Sequence, residues 1–141
     1  MRIDNKLLDN LTAQAQASPR LRMNLDLRNS DGDTSQRMLN AIEPESVVPV
    51  HRHRGTSETV VILRGRAVQY IYDEEGRQVE AVLLEADGEV RAMQVGKGQW
   101  HSLRSLESGT VILEMKDGAY EPIAAGDVMR GELSAQGQAD N

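Results

Sequence analysis

The chain has 141 residues, a formal net charge of −6 and no cysteine. A chain of this length forms one domain with a single core, and its acidic balance without a block of Lys or Arg argues against nucleic-acid binding. No apolar stretch approaches the roughly 18 residues that span a membrane, and no signal peptide is evident. We therefore expect a cytoplasmic protein, and the absence of cysteine fits a reducing compartment.

Residues 1–20 predict an N-terminal helix that packs on the rest of the domain. Asp4 is a suitable N-cap because its carboxylate can accept a hydrogen bond from a free N–H of the first turn. Ser18-Pro19 ends the pattern, since proline disfavours helical geometry in the residue before it. The predicted apolar stripe consists of Ile3, Leu7, Leu11 and Ala15.

From residue 37 onwards the sequence predicts short strands. They cover residues 37–42, 46–53, 59–63, 67–72, 79–84, 90–95, 100–106 and 110–116. Turn residues such as Asp87-Gly88 and Gly96-Lys97-Gly98 separate them regularly, which is typical of an all-β sandwich or small barrel. We expect one domain over residues 21–133 and a flexible polar tail over residues 134–141.

All three histidines of the chain fall into one pattern with a glutamate. His51 and His53 are two residues apart and would share one face of a strand, and residues 54–57 would form a hairpin loop that brings Glu58 beside His53. His101 follows a glycine-rich turn on a distant strand. These four side chains can bind one divalent transition-metal ion and leave up to two of about six positions open for water or substrate. Fe, Ni, Zn, Mn and Cu all suit such ligands.

A second interpretation of the same residues needs no metal. The three imidazoles would then line a pocket in which they bind an anion or act as acid and base. Both interpretations place the chemistry of the protein at the same three histidines.

The histidine pattern resembles a known superfamily. Residues 51–65 read His-x-His-x4-Glu-x6-Gly, which resembles the first cupin motif, and Gly98-x-x-His101 resembles the second. Gly96 stands where the second motif usually has proline, and Ser105 stands where it usually has asparagine. The resemblance implies a single-domain cupin, which is an antiparallel jelly-roll β-barrel, here with one N-terminal helix.

The resemblance extends beyond the two motifs. Residues 18–24, 36–41 and 114–122 are similar to WbuC-type cupin fold metalloproteins, so that the likeness covers most of residues 1–122. Genes of that group occur in surface-polysaccharide clusters, and the resemblance therefore implies a role in surface-polysaccharide metabolism. It does not imply a particular reaction, because a fold does not determine a function.

Several polar residues of these segments are candidates for the mouth of the barrel. The substrate-binding candidates are Arg22, Asn24, Gln36 and Arg37, and the candidates for proton transfer are Tyr120, Glu114 and Lys116. Arg and Lys near a metal suit a ligand with a carboxylate or phosphate. The alternative is ordinary surface charge with an occasional salt bridge. Trp100 lies on the face opposite His101 and is predicted to belong to the core.

Two classes of function follow from this site. The first is a metalloenzyme acting on a small polar or anionic metabolite, such as a sugar or sugar nucleotide, as an isomerase or epimerase. An iron-dependent oxygenase is the alternative enzyme. The second class is a non-catalytic module that binds metal and ligand.

The pattern of the third predicted strand bears on assembly. Val60 and Ile62 alternate with Val61 and Leu63, so both faces of this strand need cover. Cupin-like proteins commonly provide it by pairing two subunits, and we expect a homodimer. The alternative is a monomer whose N-terminal helix covers the second face.

Overall fold

The computed structural model describes residues 1–129, and the predicted tail over residues 134–141 lies outside them. Helix α1 (Asn5–Ala17) comes first, and a short 3-10 turn, Ala125–Asp127, comes last. Between them lie strands β1 (Arg22–Asp26), β2 (Gln36–Ile42), β3 (Glu58–Arg64), β4 (Arg66–Tyr72), β5 (Gln78–Glu85), β6 (Ala92–Val95), β7 (Trp100–Ser105) and β8 (Val111–Lys116). The all-β class with one N-terminal helix is confirmed.

The strands form two antiparallel sheets. One sheet has five strands in the order β1-β2-β8-β3-β6, and the other has three in the order β5-β4-β7. Both sheets contribute apolar side chains to one core between them. This inner core consists of Ile42, Val60, Ile62, Ala67, Leu84, Leu103 and Ile112. Because side chains alternate along a strand, residues two positions from these also point between the sheets.

Helix α1 covers part of the outer face of the five-stranded sheet. Asp4 is its N-cap, and the Leu7 N–H donates to the Asp4 carboxylate at 3.0 Å. The predicted apolar stripe was wrong at its start, because Ile3 precedes the helix and is 44% exposed. In the first turn of the helix, Leu8 rather than Leu7 is buried. The buried residues of the helix are Leu8, Leu11, Thr12 and Ala15. They pack near Leu39, Ala41 and Val111 of the sheet.

The prediction of a strand over residues 46–53 was wrong. Only His51 pairs there, in isolated bridges with His101 and Val128. Pro49 cannot donate a hydrogen bond to a sheet, which explains why this segment is not a regular strand. The predicted hairpin is wrong as well, since β3 pairs with β6 and β8 rather than with this segment.

Strand β1 was not predicted from the sequence. Its positions Arg22, Asn24 and Asp26 are polar, and the register pairs Asn24 with Asn40 and Arg22 with Ile42 of β2. Since Ile42 belongs to the inner core, these polar residues lie on the inward face. A strand with a polar inward face lacks the apolar alternation by which a strand is recognised.

Candidate metal centre and adjoining cavity

The three histidines come together at one end of the core. The His51 N–H donates to the His101 carbonyl at 3.0 Å, and the His101 N–H donates back to the His51 carbonyl at 2.9 Å. This bridge places the two rings 4.3 Å apart, and the His53 ring lies 5.0 Å from His51 and 5.6 Å from His101. One ligand atom of each ring lies within 4.8 Å of the others, so the cluster can hold a metal ion.

Glu58 joins this cluster as the first residue of β3. Its side chain is buried, and Oε2 lies 3.5 Å from His53 Nε2 and 3.4 Å from His101 Nε2. Glu58 shares the inward face of β3 with Val60 and Ile62, as the sequence predicted. The structure therefore brings all four sequence-predicted metal ligands together, although no hairpin is involved.

Backbone carbonyls orient two of the imidazoles. His51 Nδ1 lies 2.7 Å from the Pro49 carbonyl, and His101 Nδ1 lies 2.9 Å from the Gln99 carbonyl. A carbonyl only accepts, so each Nδ1 carries the proton and, in the neutral ring, the lone pair lies on Nε2. This arrangement is the usual one for histidines that bind metal through Nε2.

The donor atoms fit a cation. Glu58 Oε2 and His101 Nε2 are both buried, lie 3.4 Å apart and form no hydrogen bond with any residue of 1–129. Two acceptors at this distance repel each other unless a proton or a metal ion lies between them. Three imidazoles and one carboxylate are a suitable set for a divalent transition metal.

The pKa directions agree with this arrangement. Burial raises the pKa of Glu58, but His101, Lys116 and His53 outweigh that effect and hold it below its usual range. Burial lowers the pKa of His101, yet the Glu58 carboxylate raises it overall. The pKa of His51 is held well below its ordinary value by burial and by the two other histidines. The cluster thus favours one positive charge beside the carboxylate, which a bound metal ion also supplies.

A small cavity lies beneath the cluster, on its core side. Its volume is about 10 Å³, which is space for one atom-sized species. Its polar walls are His51, Glu58, His101, Gln69 and Glu114, and its apolar walls are Ile42, Val48 and Leu103. Glu114, one of the predicted proton-transfer residues, therefore lies beside the histidine cluster.

A large cavity of about 740 Å³ adjoins the cluster at His53. A volume of this order accommodates a small metabolite or a nucleotide. Its basic side chains are Arg20, Arg28, Arg37, Arg52, Arg54 and Lys116, and its carboxylates are Asp26, Glu121 and Asp127. The wall is therefore basic in a chain whose net charge is −6, and it favours an anion.

Two arginines hold the loop that carries His53. Arg52 and Arg54 both donate through Nε to Asp127 Oδ1, at 2.8 and 2.7 Å. Burial raises the pKa of Asp127, but the two arginines lower it overall. The Arg52 guanidinium also lies 4.4 Å over the Trp100 ring, which is buried with Val50 as a core residue should be. Asp127 and Arg54 were not predicted from the sequence, although Arg52 and Arg54 flank His53 in the motif.

The predicted substrate-binding and proton-transfer residues occupy different places. The walls of the large cavity include Asn24, Gln36, Arg37, Lys116 and Tyr120. Arg22, by contrast, is 1% exposed and donates to Ser46 Oγ at 3.2 Å and to the Val47 carbonyl at 3.1 Å. Burial, followed by the nearby Arg20, lowers the pKa of Arg22 to about 10.

Among the helices of residues 1–129, none is long and apolar enough to span a bilayer.

The sequence matches the family described as Domain of unknown function (DUF6016) over residues 3–84, which is more than half of the chain. No curated protein matches the sequence.

Several solved structures share the fold at low sequence identity. Oxalate oxidase in complex with the substrate analogue glycolate is 11% identical, with a TM-score of 0.64 over 77% of this chain and 57% of its own. KdgF from Halomonas sp. is 10% identical, with a TM-score of 0.58 over 74% of this chain and 84% of its own.

The capsular polysaccharide assembling protein CapF from Staphylococcus aureus is 14% identical, with a TM-score of 0.56 over 71% of this chain and 30% of its own. The chain thus spans less than two thirds of CapF and of oxalate oxidase. All three have the cupin fold, and the jelly-roll prediction is confirmed. The chain belongs to the DUF6016 family, and its fold is the cupin jelly roll.

Proposed function

We propose that His51, His53, Glu58 and His101 bind one divalent transition-metal ion, and that the metal centre acts on a small anionic metabolite held in the large cavity. The observation that carries this proposal is the pair of buried acceptors, Glu58 Oε2 and His101 Nε2, placed 3.4 Å apart without a hydrogen bond. The metal, one of Fe, Ni, Zn, Mn or Cu, would supply Lewis acidity or an activated water.

Lys116 supports the anionic nature of the ligand. It pairs in register with Glu58 across β8 and β3, so both side chains lie on the inward face. Lys116 lines the large cavity and forms no ion pair or hydrogen bond with another residue of the described chain. A lysine in this position can bind a carboxylate or phosphate close to the metal.

The proposed reaction is an isomerisation or epimerisation of a sugar or sugar nucleotide. Such a reaction moves a proton next to a carbonyl, and it needs an acid or base within reach of the bound ligand. Glu114 lies at the small cavity beneath the metal centre, and Lys116 and Tyr120 lie at the large cavity. These three residues are the groups of this chain placed to hold or release that proton.

Similarity in sequence supports a role in surface-polysaccharide metabolism. Residues 18–24, 36–41 and 114–122 resemble WbuC-type cupins, and CapF, whose fold is similar, is a capsular polysaccharide assembling protein. A cytoplasmic location belongs to this proposal, since sugar nucleotides are made there and the chain has no cysteine.

Metal analysis of the full chain, purified without added metal, tests the proposal. We expect about one equivalent of ion per chain, and a sharp loss in Glu58→Gln and His101→Ala. Glu80→Gln, on the exposed part of β5, is the matched control and should retain the wild-type content. A full equivalent of ion in His101→Ala would refute the site.

Small-molecule identification in the same sample separates the classes of function. Turnover of a sugar or sugar nucleotide by the metal-loaded chain supports the isomerase or epimerase. Oxygen uptake after iron is restored would instead identify an oxygenase, and tight ligand binding without turnover would identify a binding module.

We also propose that the chain forms a homodimer. Helix α1 covers the outer face of β1 and β2 and packs against Leu63. It therefore buries part of the second apolar face of β3, which the sequence predicts to need cover. The outer face of the three-stranded sheet remains apolar, with Val79 61% and Leu83 42% exposed beside Tyr70 of β4. Sedimentation should give a species near twice 15.6 kDa, shifted towards the monomer in Leu83→Asp. A single 15.6 kDa species for the wild-type chain would favour the monomer.

A further inference from the structure

A cluster of buried polar side chains lies on the inward face of the five-stranded sheet. Asn40 of β2 lies directly across from Asn24 of β1, two residues from Ile42 of the inner core. The register also makes Arg22 and Glu114 its diagonal neighbours on the flanking strands. These four residues form a polar region where the rest of the inner core is apolar.

The two asparagines lack hydrogen-bond partners within the described chain. Asn40 is 0% exposed, and neither its amide oxygen nor its amide nitrogen forms a hydrogen bond. The amide oxygen of Asn24 is buried without one as well. A buried amide without partners costs free energy that a leucine of similar size would not cost. These atoms therefore need partners that come from outside the described residues.

The position of the cluster shows where such partners come from. Asn24 and Met38, both neighbours of Asn40 on the inward face, line the large cavity. On the other side, Glu114 lines the small cavity beneath the metal centre. Asn24 thus lies in the wall of the large cavity, and the buried Asn40 lies directly behind it, between Asn24 and the residues that border the histidine cluster.

The chemistry of the amides selects the kind of partner. A carboxamide offers one oxygen acceptor and two N–H donors, and a hydroxyl group both accepts and donates. Adjacent amides on neighbouring strands match a ligand that carries several hydroxyl groups. An anionic group is better held by the basic wall of the cavity, where Lys116 and Arg54 lie.

We propose that Asn24 and Asn40 form a hydroxyl-binding subsite, and that the ligand of the large cavity is a sugar whose anionic group lies toward Lys116 and Arg54. This inference rests on the proposed function and extends it, because it assigns the polyhydroxylated part of the ligand to named residues. Asn40 was not among the residues identified from the sequence.

Calorimetric titration of the full chain, with its metal content measured, tests the subsite. The test compounds are glucose 6-phosphate, mannose 6-phosphate and galactose 6-phosphate, compared with hexyl phosphate, which has the same charge and no hydroxyl group. We expect at least one hexose phosphate to bind more tightly than hexyl phosphate, by a factor of about ten or more. Asn24→Leu and Asn40→Leu should abolish this preference and leave the affinity for hexyl phosphate unchanged.

Two further variants complete the design. Asn29→Leu, in the exposed loop before β2, is the matched control and should keep the preference. Lys116→Met should weaken the binding of hexyl phosphate and of the hexose phosphates alike. Should Asn40→Leu fail to fold, Asn24→Leu and the preference of the wild-type chain still decide the question.

Three results would overturn the inference. They are equal binding of hexyl phosphate and all three hexose phosphates, no binding of any of the four compounds, and an unchanged preference in both asparagine variants. If Asn40→Leu were more stable than the wild-type chain and kept the wild-type affinities, the partner of the Asn40 amide would be water, and Asn40 would not belong to the subsite. Failure of the proposed function gives a different pattern, in which the hydroxyl preference is present but no metal is bound.

Discussion

Gly65, the last fixed residue of the first motif, should be indispensable for folding rather than for metal binding. It joins β3 to β4 with a φ of +85°, a conformation that side chains other than glycine rarely adopt. A Cβ added at this position would lie 2.4 Å from Thr110 Oγ1 and 2.8 Å from Thr110 Cα. The second of these atoms belongs to the backbone of a fully buried residue and cannot move aside easily.

The cost of Gly65→Ala follows from these contacts. The left-handed conformation costs about 1–2 kcal/mol for alanine, and forcing a methyl group into a packed site costs about 1–3 kcal/mol. Lower entropy of the unfolded chain returns about 0.4–1 kcal/mol. Thr110 cannot rotate freely, since its hydroxyl donates to the Glu107 carbonyl at 2.8 Å. We expect a net loss of about 1–5 kcal/mol in the free energy of unfolding.

Two other glycines separate the causes. Gly98 has a φ of +72° but no heavy atom within 4 Å of an added Cβ, so Gly98→Ala should cost only about 0.5–1 kcal/mol. Gly55 has neither a positive φ nor a neighbour within 4 Å, and Gly55→Ala should be neutral or slightly stabilising.

Urea unfolding, followed by the fluorescence of the single tryptophan, measures all three variants. The order of stability should be Gly55→Ala, Gly98→Ala, then Gly65→Ala. A Gly65→Ala loss no larger than that of Gly98→Ala would refute the role of the Thr110 contact. Loss of metal from folded Gly65→Ala would refute the view that this residue is purely structural.

Three further predictions concern the site. Glu58→Gln should keep the fold and weaken metal binding by about 100-fold or more, because the loss of an outer-shell partner alone typically costs about 10–100-fold. Metal titration showing wild-type affinity would contradict this. Because imidazoles coordinate only when neutral and Glu58 raises the pKa of His101, metal should be released as the pH falls below about 6. Elemental analysis after dialysis should find the full equivalent at neutral pH, and full retention at pH about 5 would argue against histidine ligands. Asp127→Asn should lower the melting temperature at neutral pH, because the pKa of Asp127 is depressed in the folded chain. The carboxylate therefore contributes to the free energy of unfolding above the unfolded pKa of about 3.9, and this contribution is lost as the pH falls through the folded pKa. An equal difference in melting temperature at neutral and strongly acid pH would show that charge is not the cause.

The sequence by itself determined the fold class and the ligands that can hold a metal. Turn residues and period-two patterns identify most strands to within one or two residues, as in β3, where the predicted 59–63 became Glu58–Arg64. The convergence of His51, His53, Glu58 and His101 was also predicted, because imidazole and carboxylate side chains with this spacing have few other purposes in a chain without cysteine.

Only the tertiary structure decided how those ligands meet and what surrounds them. His51 meets His101 through an isolated bridge, and Glu58 joins them from a strand that pairs with β6 and β8 rather than through the predicted hairpin. Asp127 holds the two arginines beside His53 from 73 and 75 residues away. Strand β1 escaped prediction because its inward face is polar, and local patterns recognise strands by apolar alternation. Asn40 lies within the predicted strand over residues 37–42, but its place beside Asn24 depends on how β1 and β2 pair. Contacts between residues distant in the chain depend on the register of the sheets, which no local pattern encodes.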